Sequence, residues 1–149
     1  PNNFALAVCF FLFSPIVSSS IGRWDNSLVL SLIFLTFGTY IAYKVNRLTI
    51  SISYIIFYIL GALLLAFMGG TDPKIHLAPL GSAVFYLFTF FHITEPKTTP
   101  NSIKGMIIFG ALIGVVQFIF RYNQVLFSGF YAVFIICSLR PLLPIKKPV

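Results

Sequence analysis

Ten residues, His92-Ile93-Thr94-Glu95-Pro96-Lys97-Thr98-Thr99-Pro100-Asn101, gather an acid, a base, three threonines and an asparagine. They follow the very apolar Phe85-Tyr86-Leu87-Phe88-Thr89-Phe90-Phe91. A polar knot at the edge of an apolar run, pinned by Pro96 and Pro100, suits a binding loop on a rigid support. The side chains of Thr94, Thr98, Thr99 and Asn101 offer hydrogen bonds. With backbone N–H groups at the start of the next helix, they could hold an anion such as phosphate. Lys97 and Lys104 would screen its charge, and Glu95, ion-paired with either lysine, would fix the loop. The competing reading is helix punctuation, because the residue before a proline is pushed out of α geometry. A similar tetrapeptide, Thr71-Asp72-Pro73-Lys74, precedes the same apolar run. There Asp72 suits an N-cap and Pro73 the first helical position.

Other chemistry-bearing residues are sparse. Gly110-Ala111-Leu112-Ile113-Gly114 is a small-x-x-x-small pattern that lets helix backbones approach in lipid. Gln117 and Arg121 continue its stripe, so Gln117 either packs between helices or faces a cavity at mid-depth, where a polar side chain is otherwise costly. His76 and His92 lie 16 residues apart. On one helix that is about 24 Å of rise and about 160° of rotation, so one chain cannot use both on one haem or metal. No haem or metal is therefore expected. Cys9 and Cys137 sit in apolar runs without metal-type spacing and read as buried thiols. Asp25, Asp72 and Glu95 all lie at run ends, whereas ion relays place acids in the membrane interior.

Six apolar runs must position these groups: 4–21, 27–43, 50–68, 76–94, 103–120 and 125–143. The first, broken by Pro15, reads as a short kinked span or a re-entrant half-helix; the others read as transmembrane helices joined by short hairpin connections. The fold class expected is all-α, a single polytopic domain over 1–149 with five or six transmembrane helices. Alternate loops sort the basic residues. Lys44, Arg47, Lys97, Lys104, Arg140, Lys146 and Lys147 fall on one face, and Arg23, Lys74 and Arg121 on the other. The positive-inside rule puts the richer face, with the C-terminus, in the cytoplasm.

The chain has 149 residues, 58% apolar and 9% charged, with a net charge of +7. Average soluble domains carry about 25% charge. A cytosolic enzyme, a secreted disulfide scaffold and a disordered tail are excluded. No nucleic-acid partner is expected, because the basic residues are spread between apolar runs and not gathered on one solvated face. The start at Pro1-Asn2-Asn3, without an initiator Met, reads as a processed or excised chain.

The stretch Phe88 to Pro100, with its Thr94-Glu95-Pro96-Lys97-Thr98-Thr99-Pro100 block, resembles the Thr-Asp-Pro-x-[Thr/Ser]-[Thr/Ser/Ala]-Pro signature of the NqrB/RnfD family. The resemblance continues through Gly105, the helix carrying Gly110 and Gly114, and the last run ending at Arg140-Pro141. The family supplies membrane subunits of sodium-pumping NADH–quinone reductase and of the Rnf electron-transport complex. The resemblance implies a subunit of a bacterial-type inner membrane, embedded in the lipid bilayer and working with FMN or another flavin. It also implies partner redox subunits or a fused cytoplasmic reductase domain. The family fold resembles that of urea transporters, two inverted five-helix repeats. This chain is about half that size, so it would be one repeat, a fragment, or a protomer of a homodimer. Larger members attach FMN through Thr in a Ser-x-Ala-Thr motif. The nearest stretch here, Ser82-Ala83-Val84, lacks the hydroxyl acceptor, so a bound flavin would be non-covalent. Glu95 replaces the family's Asp.

On this reading the chain moves electrons between flavin and partner redox subunits, with Thr94, Glu95, Lys97, Thr98, Thr99, Asn101 and Lys104 as the cofactor-contacting set. The alternatives are a urea-transporter-like channel for a small solute, lined by Ser51, Ser53, Tyr54, Tyr58, Ser82, Tyr86 and Thr89, or a non-catalytic membrane scaffold.

Overall fold

The computed structural model describes residues 5, 8, 9, 11–13, 28–95 and 99–139. Lys97 and Thr98 of the expected site, the Pro15 break and the basic tail lie outside the described residues. All regular structure among the described residues is helical: α1 (Leu28–Lys44), α2 (Leu48–Gly69), α3 (Pro73–Leu77), a 3₁₀ turn (Ala78–Gly81), α4 (Ala83–Leu87), a π turn (Phe88–His92), α5 (Ile103–Tyr122) and α6 (Ser128–Leu139). The described residues of the first run are helical too, and all of them, Cys9 included, are exposed. Burial of that thiol was expected and is not seen.

α2 and α5, of 22 and 20 residues, are long and apolar enough to cross a bilayer. At 1.5 Å per residue they measure about 33 and about 30 Å. Each is punctuated as its sequence allows. Ser102 caps α5, its hydroxyl accepting from the Gly105 N–H at 3.1 Å. α2 ends at Gly70, which takes the left-handed conformation (φ 59°) and donates its N–H to the Ala66 carbonyl. A Cβ at Gly70 would meet nothing within 4 Å, so only the backbone conformation resists substitution there. Gly70→Ala is expected to cost about 1 kcal/mol. Gly81→Ala, equally open and without a left-handed φ, should be near neutral. Thermal unfolding in detergent micelles would compare the two; equal midpoints would refute the assignment.

The run at 76–94, expected as one helix, is two half-helices meeting at 67° across Ser82. Asp72 and Pro73 start the first half as expected, the Asp72 carboxylate accepting from the Lys74 N–H at 2.9 Å. The break has a chemical cause. Pro79 has no N–H and its ring crowds the preceding turn, so α3 tightens into the 3₁₀ turn. Ser82 is extended (φ −95°, ψ 137°) and restarts the helix as an N-cap, accepting from Phe85 N–H at 3.2 Å. The freed backbone is satisfied from neighbouring helices. Ser31 of α1 donates to the Gly81 carbonyl at 2.7 Å, and Ser51 of α2 to the Thr89 carbonyl in the π turn at 3.1 Å.

α2 and α5 run parallel. Ile50 faces Gly110, Phe57 faces Gly114, and Gly61 faces Phe118, in step along both helices. The chain between them must return to the end where α2 began, so the bent pair crosses the bundle rather than doubling back. The two small residues of the stripe are buried against α2, which supports helix packing as their role. Tyr54, Phe109, Ile50, Ile113 and Val133 fill the core between α2, α5 and α6.

Candidate functional site

The two ends of the bundle carry different polar groups. At the first end the loop before α5 is fastened by Arg47, the residue preceding α2. One guanidinium nitrogen donates to the Pro100 carbonyl and the other to the Asn101 carboxamide oxygen. This fork suits arginine, whose planar donors can serve two acceptors at once. Arg47 is buried, as are Thr94, Thr99 and Pro100. The Thr94 hydroxyl donates to the Phe90 carbonyl, and that of Thr99 to the Glu95 carbonyl at 3.1 Å. These two hydroxyls therefore shape the loop from inside. Glu95 is half-buried, while Asn101, Ser102, Ile103 and Lys104 are exposed together at this end. The His92 ring stacks on Phe88 at 5.4 Å and meets Phe130 edge-on at 5.0 Å.

The expected set is thus gathered only in part. Thr94, Glu95, Thr99, Asn101 and Lys104 belong to one loop and the helix it opens. Arg47, read from the sequence only as a sidedness charge, holds that loop across 53 residues of chain. No local pattern announces such a pair; its signal was the shared face assigned to loops 44–49 and 95–104. That shared face is what the Arg47 contacts require.

At the opposite end α2, α4, α5 and α6 line an open cavity of about 270 Å³. Arg121, in the last turn of α5, donates to the His76 carbonyl at 3.1 Å and lies 5.0 Å from the Tyr58 ring centre. Deeper in, Tyr54 donates to the Gln117 carboxamide oxygen at 2.6 Å. Ser82, Phe85 and Phe88 close one wall, and Phe127, Ser128 and Gly129 another. Of the hydroxyls considered as pore lining, Tyr54, Tyr58 and Ser82 reach this cavity. Ser51, Ser53 and Thr89 instead donate to the carbonyls of Thr89, Ile107 and Phe85, binding helix backbones.

The sequence model of the NQR2, RnfD, RnfE family matches residues 4–146. The chain belongs to this family. The resemblance carried by the Thr94–Pro100 block and the glycine helix is thereby established for nearly the whole length. Among relatives of the NQR2, RnfD, RnfE family, this chain is similar to a subunit of the ion-translocating oxidoreductase complex of Shewanella pealeana. Identity is 37% over 73 residues, covering 46% of this chain and 21% of that protein. It is also similar to the protein of the same name from Shewanella sediminis, 41% identical over 51 residues, or 34% of this chain and 14% of the relative. The chain therefore matches about a fifth or less of the length of these curated relatives. No solved structure matches.

Proposed function

We propose that this member of the NQR2, RnfD, RnfE family moves electrons between a flavin and partner redox subunits from within the membrane. Its relatives are named as subunits of an ion-translocating oxidoreductase complex, which supports the reading. The observation that carries it is the Arg47 clamp. It sets the loop at the head of two parallel helices and leaves Asn101 and Lys104 facing outward. An ammonium and a carboxamide at a helix start fit the phosphate of FMN or another flavin, held non-covalently. Lys97 and Thr98 complete the contact set, Glu95 fixes the loop, and Thr94 and Thr99 act through its shape. A flavin bound here would accept and release electrons; the protein's part is to fix its phosphate end and admit a redox partner beside it.

On this reading the five or six crossings comprise α1, α2, the bent pair, α5 and α6, with the run at 4–21 as the sixth. The multi-pass chain sits in a bacterial-type inner membrane with the loop and the C-terminus cytoplasmic, facing other redox subunits or a fused reductase domain. A second copy would complete the urea-transporter-like fold as a homodimer. The test is the absorbance spectrum and electron-transfer rate of the protein purified with its membrane partners. A Lys97→Ala/Thr98→Ala/Lys104→Ala variant is expected to lose flavin occupancy about tenfold, as removal of charge-assisted hydrogen bonds predicts. A flavin-free preparation with full electron transfer in that variant would end the cofactor-site reading.

A further inference from the structure

The cavity at the Arg121 end holds polar groups that the fold leaves unused. Gln117 is nine-tenths buried. Its carboxamide oxygen is taken by Tyr54, and its nitrogen makes no hydrogen bond among the described residues. That nitrogen lies against the first turn of α6, 3.3 Å from where a Gly129 Cβ would stand. Ser128, also nine-tenths buried, lines the same cavity, and its hydroxyl makes no hydrogen bond among the described residues. α6 begins at Ser128; the N–H groups of Phe130 and Tyr131 donate to the Phe127 carbonyl, and those of Ser128 and Gly129 have no intrahelical acceptor. Arg121 adds a cation that pairs with no carboxylate among the described residues. These groups open onto the cavity, and a polar cavity in a membrane bundle is a site for a ligand that supplies acceptors.

Each of these groups can donate and Arg121 is itself a cation, which disfavours a cationic ligand and favours an acceptor-rich anion. The remaining wall is aromatic, with Phe85 and Phe88 opposite α6. Its volume, about 270 Å³, is just under the range of about 300–1,000 Å³ for drug-sized ligands, so it suits a single flat ring. We propose that this cavity binds a small carboxylate carried on a flat apolar body, an arylcarboxylate in chemical class. The carboxylate sits among Arg121, Gln117 and Ser128, and the ring lies against Phe85 and Phe88. The site is at the opposite end of the bundle from the Arg47 loop and does not depend on flavin binding there.

Isothermal titration calorimetry of the full chain in phosphatidylcholine nanodiscs, with benzoate and its neutral isostere benzamide as probes, tests this. Benzoate should bind saturably and at least about tenfold more tightly than benzamide, the difference expected for charge-assisted over neutral hydrogen bonds. Gln117→Glu keeps the acceptor for Tyr54 but puts a like charge in the site, and should abolish benzoate binding. Ser128→Ala, a milder change should Gln117→Glu misfold, should weaken it by about three- to tenfold. Lys44→Ala, an exposed position at the far end of α1, should leave it unchanged. Equal affinity for benzamide, no benzoate binding by the wild type, or wild-type affinity in a folded Gln117→Glu or Ser128→Ala variant would overturn the proposal.

Discussion

Arg47→Ala is expected to lower stability by about 2 kcal/mol and to release the loop before α5. Two acceptors lose their donors at once, the Pro100 carbonyl and the Asn101 carboxamide oxygen. Pro100 is fully buried and Thr99 beside it is almost so, so water cannot replace the guanidinium without opening the loop. The buried Pro100 carbonyl left unsatisfied costs about 1–3 kcal/mol, while the oxygen of exposed Asn101 is open to water and adds little. Arg47→Lys should recover less than half of the loss, because an ammonium on a flexible stem is a point donor and cannot fork to two acceptors at fixed geometry. Thermal unfolding in micelles reads the stability. Thiol labelling of Ile103→Cys, an exposed position beside the loop, in a Cys9→Ser background and with and without Arg47, separates the loop from the rest, and Arg47→Ala should speed it. An unchanged midpoint together with unchanged labelling would show that the fork contributes nothing.

How much of this was legible in the sequence depends on the range of the interaction. Asp72-Pro73 and Ser102 set helix starts through groups two or three residues away, and such signals can be read directly. Of the basic residues sorted by face, Arg47 and Arg121 do lie at opposite ends of the bundle, since Arg47 reaches Asn101 while Arg121 reaches the His76 carbonyl. The break at Ser82 was written in Ala78-Pro79-Leu80-Gly81-Ser82. An unbroken apolar count from 76 to 94 hid it, because hydropathy ignores whether a residue can donate an N–H. The Arg47 fork and the Tyr54–Gln117 bond join residues 53 to 63 positions apart. Their partners are chosen by how helices pack, and no local spacing encodes that. For Gln117 the stripe correctly offered two environments, and the structure supplies both: one end of the amide packs between helices and the other faces a cavity.

Gly110 tests the packing on which both ends of the bundle depend. A Cβ there would lie 2.6 Å from the Ile50 carbonyl oxygen, 3.0 Å from Ser53 Cβ and 3.0 Å from the Tyr54 nitrogen. Two of those three atoms are backbone, so no rotamer change can make room; the helices must separate. Lipid offers no hydrophobic drive to hold them, and close van der Waals contact is the main attraction between spans. Gly110→Ala should therefore cost about 1–3 kcal/mol, the usual range for overpacking, and Gly110→Val should prevent stable folding. The consequence reaches beyond the contact. Ser53 donates to the Ile107 carbonyl at 2.8 Å and Tyr54 to Gln117 at 2.6 Å across the same seam, and both bonds lengthen if α2 and α5 part. A Tyr54→Phe change in the Gly110→Ala background should then cost less than in the wild type, since the hydrogen bond is already weakened. A double-mutant cycle measures this coupling. Strict additivity would mean that the seam yields locally at Gly110, leaving the Gln117 end of the bundle undisturbed.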